Sequence, residues 1–140
     1  MNKSEKRILV IDDEELMLEF LKKIWRSLGE ETFGLELITL LVGENSPADE
    51  KPVVERILAE KPDLVVADLN EELPYGKDGF SIVREMQARG IPAILSSNHQ
   101  EYPPQYSGNT WPKLPEGVPF MHKSRFIREL PQLVRQMLAP

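Results

Sequence analysis

The 140-residue sequence predicts an α/β protein, a doubly wound, five-stranded parallel sheet with helices on both faces. Three observations predict it. Short apolar runs rich in β-branched residues recur along the chain, as strands buried on both faces require. Segments with apolar residues at helical spacing separate them, so strand and helix alternate. The runs stop at aspartate, serine or lysine, and the ligand site of such a sheet lies beyond the C-terminal ends of its strands. One closed core fits this length, so residues 1–140 are expected to form a single domain.

Residues 1–6 are polar and are expected to fray. Arg7-Ile8-Leu9-Val10-Ile11 reads as the first strand, β-branched at Ile8, Val10 and Ile11. Asp13 and Glu14 open a helix, their charges complementing its positive N-terminus. Met17, Phe20, Leu21, Ile24 and Leu28 recur at helical spacing, and Gly29 supplies the stop. Residues 35–42 read as a second strand. Pro52 sits where a first-turn proline is tolerated, and Val53, Val54, Ile57 and Leu58 give the second helix its apolar face. Pro62 ends that helix. Leu64-Val65-Val66-Ala67 is a third buried strand, delivering Asp68 at its C-terminal end. Phe80, Val83 and Met86 mark a third helix, closed by Gly90. Residues 91–95 form a fourth strand and Phe120-Met121-His122 a short fifth. Residues 125–138 make the last helix, in which Pro131 must fall in the first turn or cause a kink.

Composition removes several function classes. With no cysteine, disulfides, thiolate metal sites and cysteine nucleophiles are excluded. Ile8-Leu9-Val10-Ile11 is too short for a signal-peptide core or a membrane span, so a cytoplasmic location is expected and no membrane partner. Seventeen basic against twenty-three acidic residues give a formal charge of −6, which argues against a phosphate-tracking surface for nucleic acid. His99 and His122 have no third partner at metal-ligand spacing and read as structural. Nucleotide-binding glycine patterns are absent.

The strand ends carry the chemistry. The first ends in Asp12-Asp13, the third in Asp68, the fourth in Ser96-Ser97-Asn98 and the fifth in Lys123. Three carboxylates, a hydroxyl and an ammonium therefore converge on one rim. Two unit charges about 4 Å apart repel by roughly 4 kcal/mol at an effective dielectric of about 20, so the carboxylates call for a cation. Oxygen ligands alone favour Mg²⁺, which keeps several waters and accepts a phosphoryl oxygen. Lysine and hydroxyl would meet other phosphoryl oxygens, and an aspartate so clamped can be the nucleophile that forms an acyl phosphate. Taken singly, each of these residues has an ordinary explanation: a helix cap, a turn aspartate, a surface lysine. Their joint placement carries the argument.

This pattern resembles the receiver domain of bacterial response regulators, the CheY-like family. The matching stretches run in order through nearly the whole chain: ILVIDD at residues 8–13, PDLVVADLN at 62–70, Asp78-Gly79-Phe80, IPAILSS at 91–97, and Phe120 to Lys123. The resemblance implies a flavodoxin-like sheet with strand order 2-1-3-4-5. It implies phosphoryl transfer onto Asp68 from a sensor histidine kinase or phosphotransfer protein, with Mg²⁺ as cofactor. Asp13 would ligate the metal directly, Asp12 largely through water, and Asn70 by its backbone carbonyl. Lys123 would contact the phosphoryl group. Ser97, five residues past Pro92, would be the switch hydroxyl, and Phe120 the aromatic that moves on activation.

The sequence departs from the family at four places. The loop between Asp68 and Gly79 is about three residues longer than the usual DxxMPxxDG form. Ser124 replaces the proline that normally follows the lysine. Asn98 follows the switch hydroxyl where a small residue is usual, which leaves Ser96 as an alternative to Ser97. Residues 98–117 hold Pro103, Pro104, Pro112 and Pro115 with no helical apolar spacing, so a loop is expected in place of the usual fourth helix. Tyr102, Tyr106 and Trp111 in it would serve either a partner or packing onto the sheet, and dimerisation through the family's surface there is not expected. Two other functions compete. Aspartate-nucleophile phosphatases of the haloacid dehalogenase type need a second aspartate two residues past the nucleophile, where this chain has Asn70. A pseudo-receiver would keep the fold as an interaction module without the phosphorylation cycle.

Overall fold

The computed structural model describes residues 6–27, 34–42, 53–69, 79–97 and 114–138. Strand β1 (Lys6–Asp12) leads into helix α1 (Glu15–Ser27), β2 (Leu35–Leu41), α2 (Val53–Ala59), β3 (Leu64–Asp68), α3 (Gly79–Ala88) and β4 (Ala93–Ser97). Strand β5 (Phe120–His122), a 3-10 turn (Lys123–Arg125) and helix α4 (Phe126–Leu138) complete the described chain. The five strands are parallel and lie in the order β2-β1-β3-β4-β5, so the strand order reverses between β1 and β3. The expected fold class and strand order are both observed.

Alternation along the strands divides the core in two. Leu9, Ile11, Val65, Ala67, Ala93 and Leu95 face α2 and α3, meeting Ile57, Phe80, Val83 and Met86. Ile8, Val10, Leu64, Val66, Ile94 and Met121 face α1 and α4, meeting Leu18, Leu21, Leu130 and Val134. Most of these side chains are fully buried, and truncating one such leucine to alanine costs about 2–5 kcal/mol. The even-numbered row of β1 and β3 ends in Asp12 and Asp68, so the apolar alternation that seats the core also aims both carboxylates beyond it.

Two glycines fix α3. Gly90 adopts φ +77° and its N–H bonds to the Gln87 carbonyl (3.0 Å), while the Ile91 N–H reaches Met86 (2.9 Å). This left-handed cap stops the helix and turns the chain into β4. At the other end, a Cβ on Gly79 would collide with the backbone of Asp68 and Leu69, so α3 starts hard against the end of β3 only because residue 79 has no side chain.

Two expectations change, at Lys6 and at Pro131. Lys6 is paired rather than frayed: it lies opposite Leu35, and its N–H donates to the Gly34 carbonyl at 2.9 Å. Strand β2 is only partly buried because it is a sheet edge. Pro131 sits in the second turn of α4, past the four N-terminal amides that need no partner, and the helix nevertheless runs on to Leu138. Leu28, Gly29 and Pro52 lie outside the described residues, as do residues 98–113, which hold most of the expected proline-rich loop. Among the described residues no helix is long and apolar enough to cross a membrane.

Candidate functional site

The C-terminal ends of β1 and β3 flank the strand-order reversal, and the turn after β5 sends Lys123 in to meet them. Asp12 closes β1 at 1 % exposure, and its Oδ1 accepts the Glu14 N–H (3.0 Å), which bends the chain into α1. Asp68 closes β3 at 9 % exposure, with Leu69 donating its N–H to the Ser96 carbonyl at 2.6 Å. The Lys123 ammonium enters between the two carboxylates, 2.9 Å from Asp12 Oδ2 and 3.0 Å from Asp68 Oδ1. Asp13 is half-buried beside them, and one oxygen each from Asp12, Asp13 and Asp68 lies within 4.8 Å of the others.

Two carboxylates therefore contact one ammonium, and a third lies beside them. Burial pushes the Asp68 carboxyl up to about 7, with the Asp12 charge adding to the shift and Lys123 opposing it. Asp12 is also raised, chiefly by burial, against the opposing pull of Lys123. For Lys123, burial alone favours the neutral amine, but the attraction of Asp68 and Asp12 outweighs it and the ammonium is held more firmly than usual. The site is thus short of positive charge. Three oxygen donors, no nitrogen or sulfur donor among them, and an unmet demand for positive charge suit a hard divalent cation such as Mg²⁺.

The two serines occupy different places. Ser96 lies opposite Asp68 in register, and its hydroxyl donates back to the Ala67 carbonyl through a long bond of 3.4 Å. Ser97 is one residue nearer the rim, also buried, and on the other face of the sheet. It pairs with His122, two residues along from the Leu95–Phe120 pair, so Ser97 and half-buried Phe120 share a face. His122 accepts hydrogen bonds from Ser124. Asn70, Asn98 and His99 lie outside the described residues.

Asp12, Asp13, Asp68 and Lys123 thus come together as their strand-end positions predict, and Ser97 and Phe120 stand on the adjoining face. Two features were not foreseen. The need for glycine at position 79 depends on its approach to the Asp68 backbone, and Asp78-Gly79 after a strand-end aspartate is the sequence signal for it. The Ser124–His122 contact had a signal in the i, i+2 spacing of two polar residues around Lys123.

No family model and no curated protein sequence matches the chain. Its fold does match solved structures over nearly its whole length. It is similar to the chemotaxis protein CheY4 of Vibrio cholerae at a TM-score of 0.65 and 14 % identity, covering 96 % of this chain and 100 % of that one. It is similar to a CheY-like response regulator receiver domain of Methylobacillus flagellatus (TM-score 0.61, 18 % identity, 96 % and 99 % covered). A response regulator receiver protein of Pseudomonas putida matches at a TM-score of 0.60 and 17 % identity, again over 96 % and 99 %.

Proposed function

From this chain's CheY-like receiver fold, we propose that it is a phosphoacceptor domain of a two-component relay, with Asp68 as the acceptor. The observation that supports this most is the seating of Lys123 between Asp12 and Asp68, with Asp13 alongside, at the reversal of strand order.

In this reading Asp13 and Asp68 would hold Mg²⁺ directly and Asp12 largely through water, and the Asn70 carbonyl would be a further ligand. Bound there, Mg²⁺ would offset the carboxylates and neutralise charge on the phosphoryl oxygens. An Asp68 oxygen attacks phosphorus, the bond to the donor's leaving atom breaks, and an aspartyl phosphate forms. Lys123 follows the charge as it moves onto the phosphoryl oxygens. Ser97, five residues past Pro92, donates to one of those oxygens, with Ser96 as the alternative opposite Asp68 in register. Phe120, on the same face as Ser97, responds to that movement. The donor is a sensor histidine kinase or phosphotransfer protein, and the protein is cytoplasmic.

The competing pseudo-receiver reading draws support from Ser124, which stands where the family has proline. Beryllofluoride, a phosphoryl mimic, separates the two. With Mg²⁺ present, ¹⁹F NMR is expected to give a bound signal in the wild type and none in Asp68→Asn. A wild type without a bound signal would favour the pseudo-receiver.

A further inference from the structure

Lys123 is carried into the site from a three-residue strand at the sheet edge, a slight platform for so long a side chain. Two contacts straddle it. Nδ1 of His122 lies 2.7 Å from the Ser124 hydroxyl and accepts the Ser124 backbone N–H at 3.1 Å. A backbone N–H can only donate, so Nδ1 carries no proton, the hydroxyl donates as well, and the imidazole proton resides on Nε2. The contacts close a small ring around the Lys123 backbone where β5 gives way to the 3-10 turn. His122 is half-buried and Ser124 exposed, whereas the Lys123 side chain between them is only 4 % exposed.

We propose that His122 and Ser124 are positioning residues whose contact sets the backbone direction at residue 123 and so places the ammonium between Asp12 and Asp68. A proline at position 124 would restrict φ through its ring. Serine has no such lock, and the paired bonds to His122 supply the restraint. The leverage is large, because a modest change of direction at Cα is magnified along four methylenes, and a displacement of about 1 Å in a reacting group can cost about 10²-fold in rate. The kinetic consequence rests on the phosphoacceptor reading; the placement of Lys123 does not.

Four proteins test this: wild type, Ser124→Ala, Ser124→Thr and His122→Phe. Phosphoryl uptake from acetyl phosphate with Mg²⁺ should slow about tenfold in Ser124→Ala and His122→Phe and return to within about twofold in Ser124→Thr. The Mg²⁺ binding midpoint should stay where it is, which separates positioning of Lys123 from damage to the carboxylates. Independently of phosphorylation, ¹⁵N spectra of the metal-free wild type should show His122 protonated at Nε2. The Lys123 ε-methylene signals should move in Ser124→Ala and be restored in Ser124→Thr. Wild-type uptake by Ser124→Ala, or a His122 proton on Nδ1, would overturn the proposal. Should the wild type take up no phosphoryl group, the phosphoacceptor reading fails by itself. The clamp then stands or falls on whether the Lys123 signals move in Ser124→Ala.

Discussion

The two ends of β1 gather the same charges and do different things with them. At its start Arg7 meets Glu36 (3.2 Å) and Glu60 (3.4 Å), while Asp63 accepts the Arg7 backbone N–H at 2.7 Å. At its end Lys123 meets Asp12 and Asp68, with Asp13 close by. Around Arg7 as around Lys123, three carboxylates gather near one basic side chain. The side chains of Arg7, Glu36 and Glu60 are 36–46 % exposed, and those of Lys123, Asp12 and Asp68 are 1–9 % exposed. Water screens the first group, and such pairs contribute about 0–1 kcal/mol. In the second group little screening remains, so the excess of carboxylates becomes a standing demand for a cation. Burial, more than residue type, makes one end a candidate site and the other a fastening of the strand.

The largest test of this contrast is to remove each cation. Lys123→Met strands two buried carboxylates and should destabilise the metal-free protein by about 3–5 kcal/mol at pH 8. Arg7→Met should cost less, the two exposed pairs contributing at most about 1 kcal/mol each. Urea unfolding of both variants checks this, and equal losses would erase the distinction between the two ends.

Acid should sharpen the comparison next. The Asp68 carboxyl stands at about 7 in the folded protein against an ordinary 3.8, so between those values the folded state binds more protons than the unfolded one. Stability of the metal-free protein should therefore fall as pH rises from about 4 to about 7, by on the order of 3 kcal/mol. In Asp68→Asn this loss should shrink. Unfolding midpoints across that window, in both proteins, give the answer; parallel curves would place the cause elsewhere.

A smaller effect is expected from the cation itself. Mg²⁺ at about a hundred times its dissociation constant should add about 2.7 kcal/mol to the wild type. It should also flatten the pH dependence, because a bound cation favours the ionised carboxylate. Asp13→Asn should gain much less. Melting curves with and without Mg²⁺ that superimpose for the wild type would leave the acidic rim without its expected ligand.

How far these features were legible follows from their range in the chain. Buried strands announce themselves by local runs such as Leu64-Val65-Val66-Ala67, and the residue that ends each run is read directly, so Asp68 and Asp12-Asp13 were visible. That Lys123 meets them is less direct, because β4 separates β5 from β3 and the long lysine side chain has to reach back to Asp12 and Asp68. Other properties depend on a third dimension. Whether three carboxylates are screened or buried cannot be read from their identity, as Arg7 and Lys123 demonstrate. Lys6 looked like a polar tail because its pairing with Leu35 uses backbone groups that every residue has. Pro131 violates a local rule that the packing of Leu130 and Val134 in the core overrides.

The central claim is that Asp68 carries the phosphoryl group, and chemical trapping tests it most directly. Wild-type protein is incubated with acetyl phosphate and Mg²⁺, then reduced with borohydride, which converts an aspartyl phosphate to homoserine at the modified position. Peptide mass spectrometry should find homoserine at position 68 in the wild type, no trapped site in Asp68→Asn, and a much reduced yield in Lys123→Met. Homoserine at another aspartate, or equal trapping in Asp68→Asn, would contradict the account.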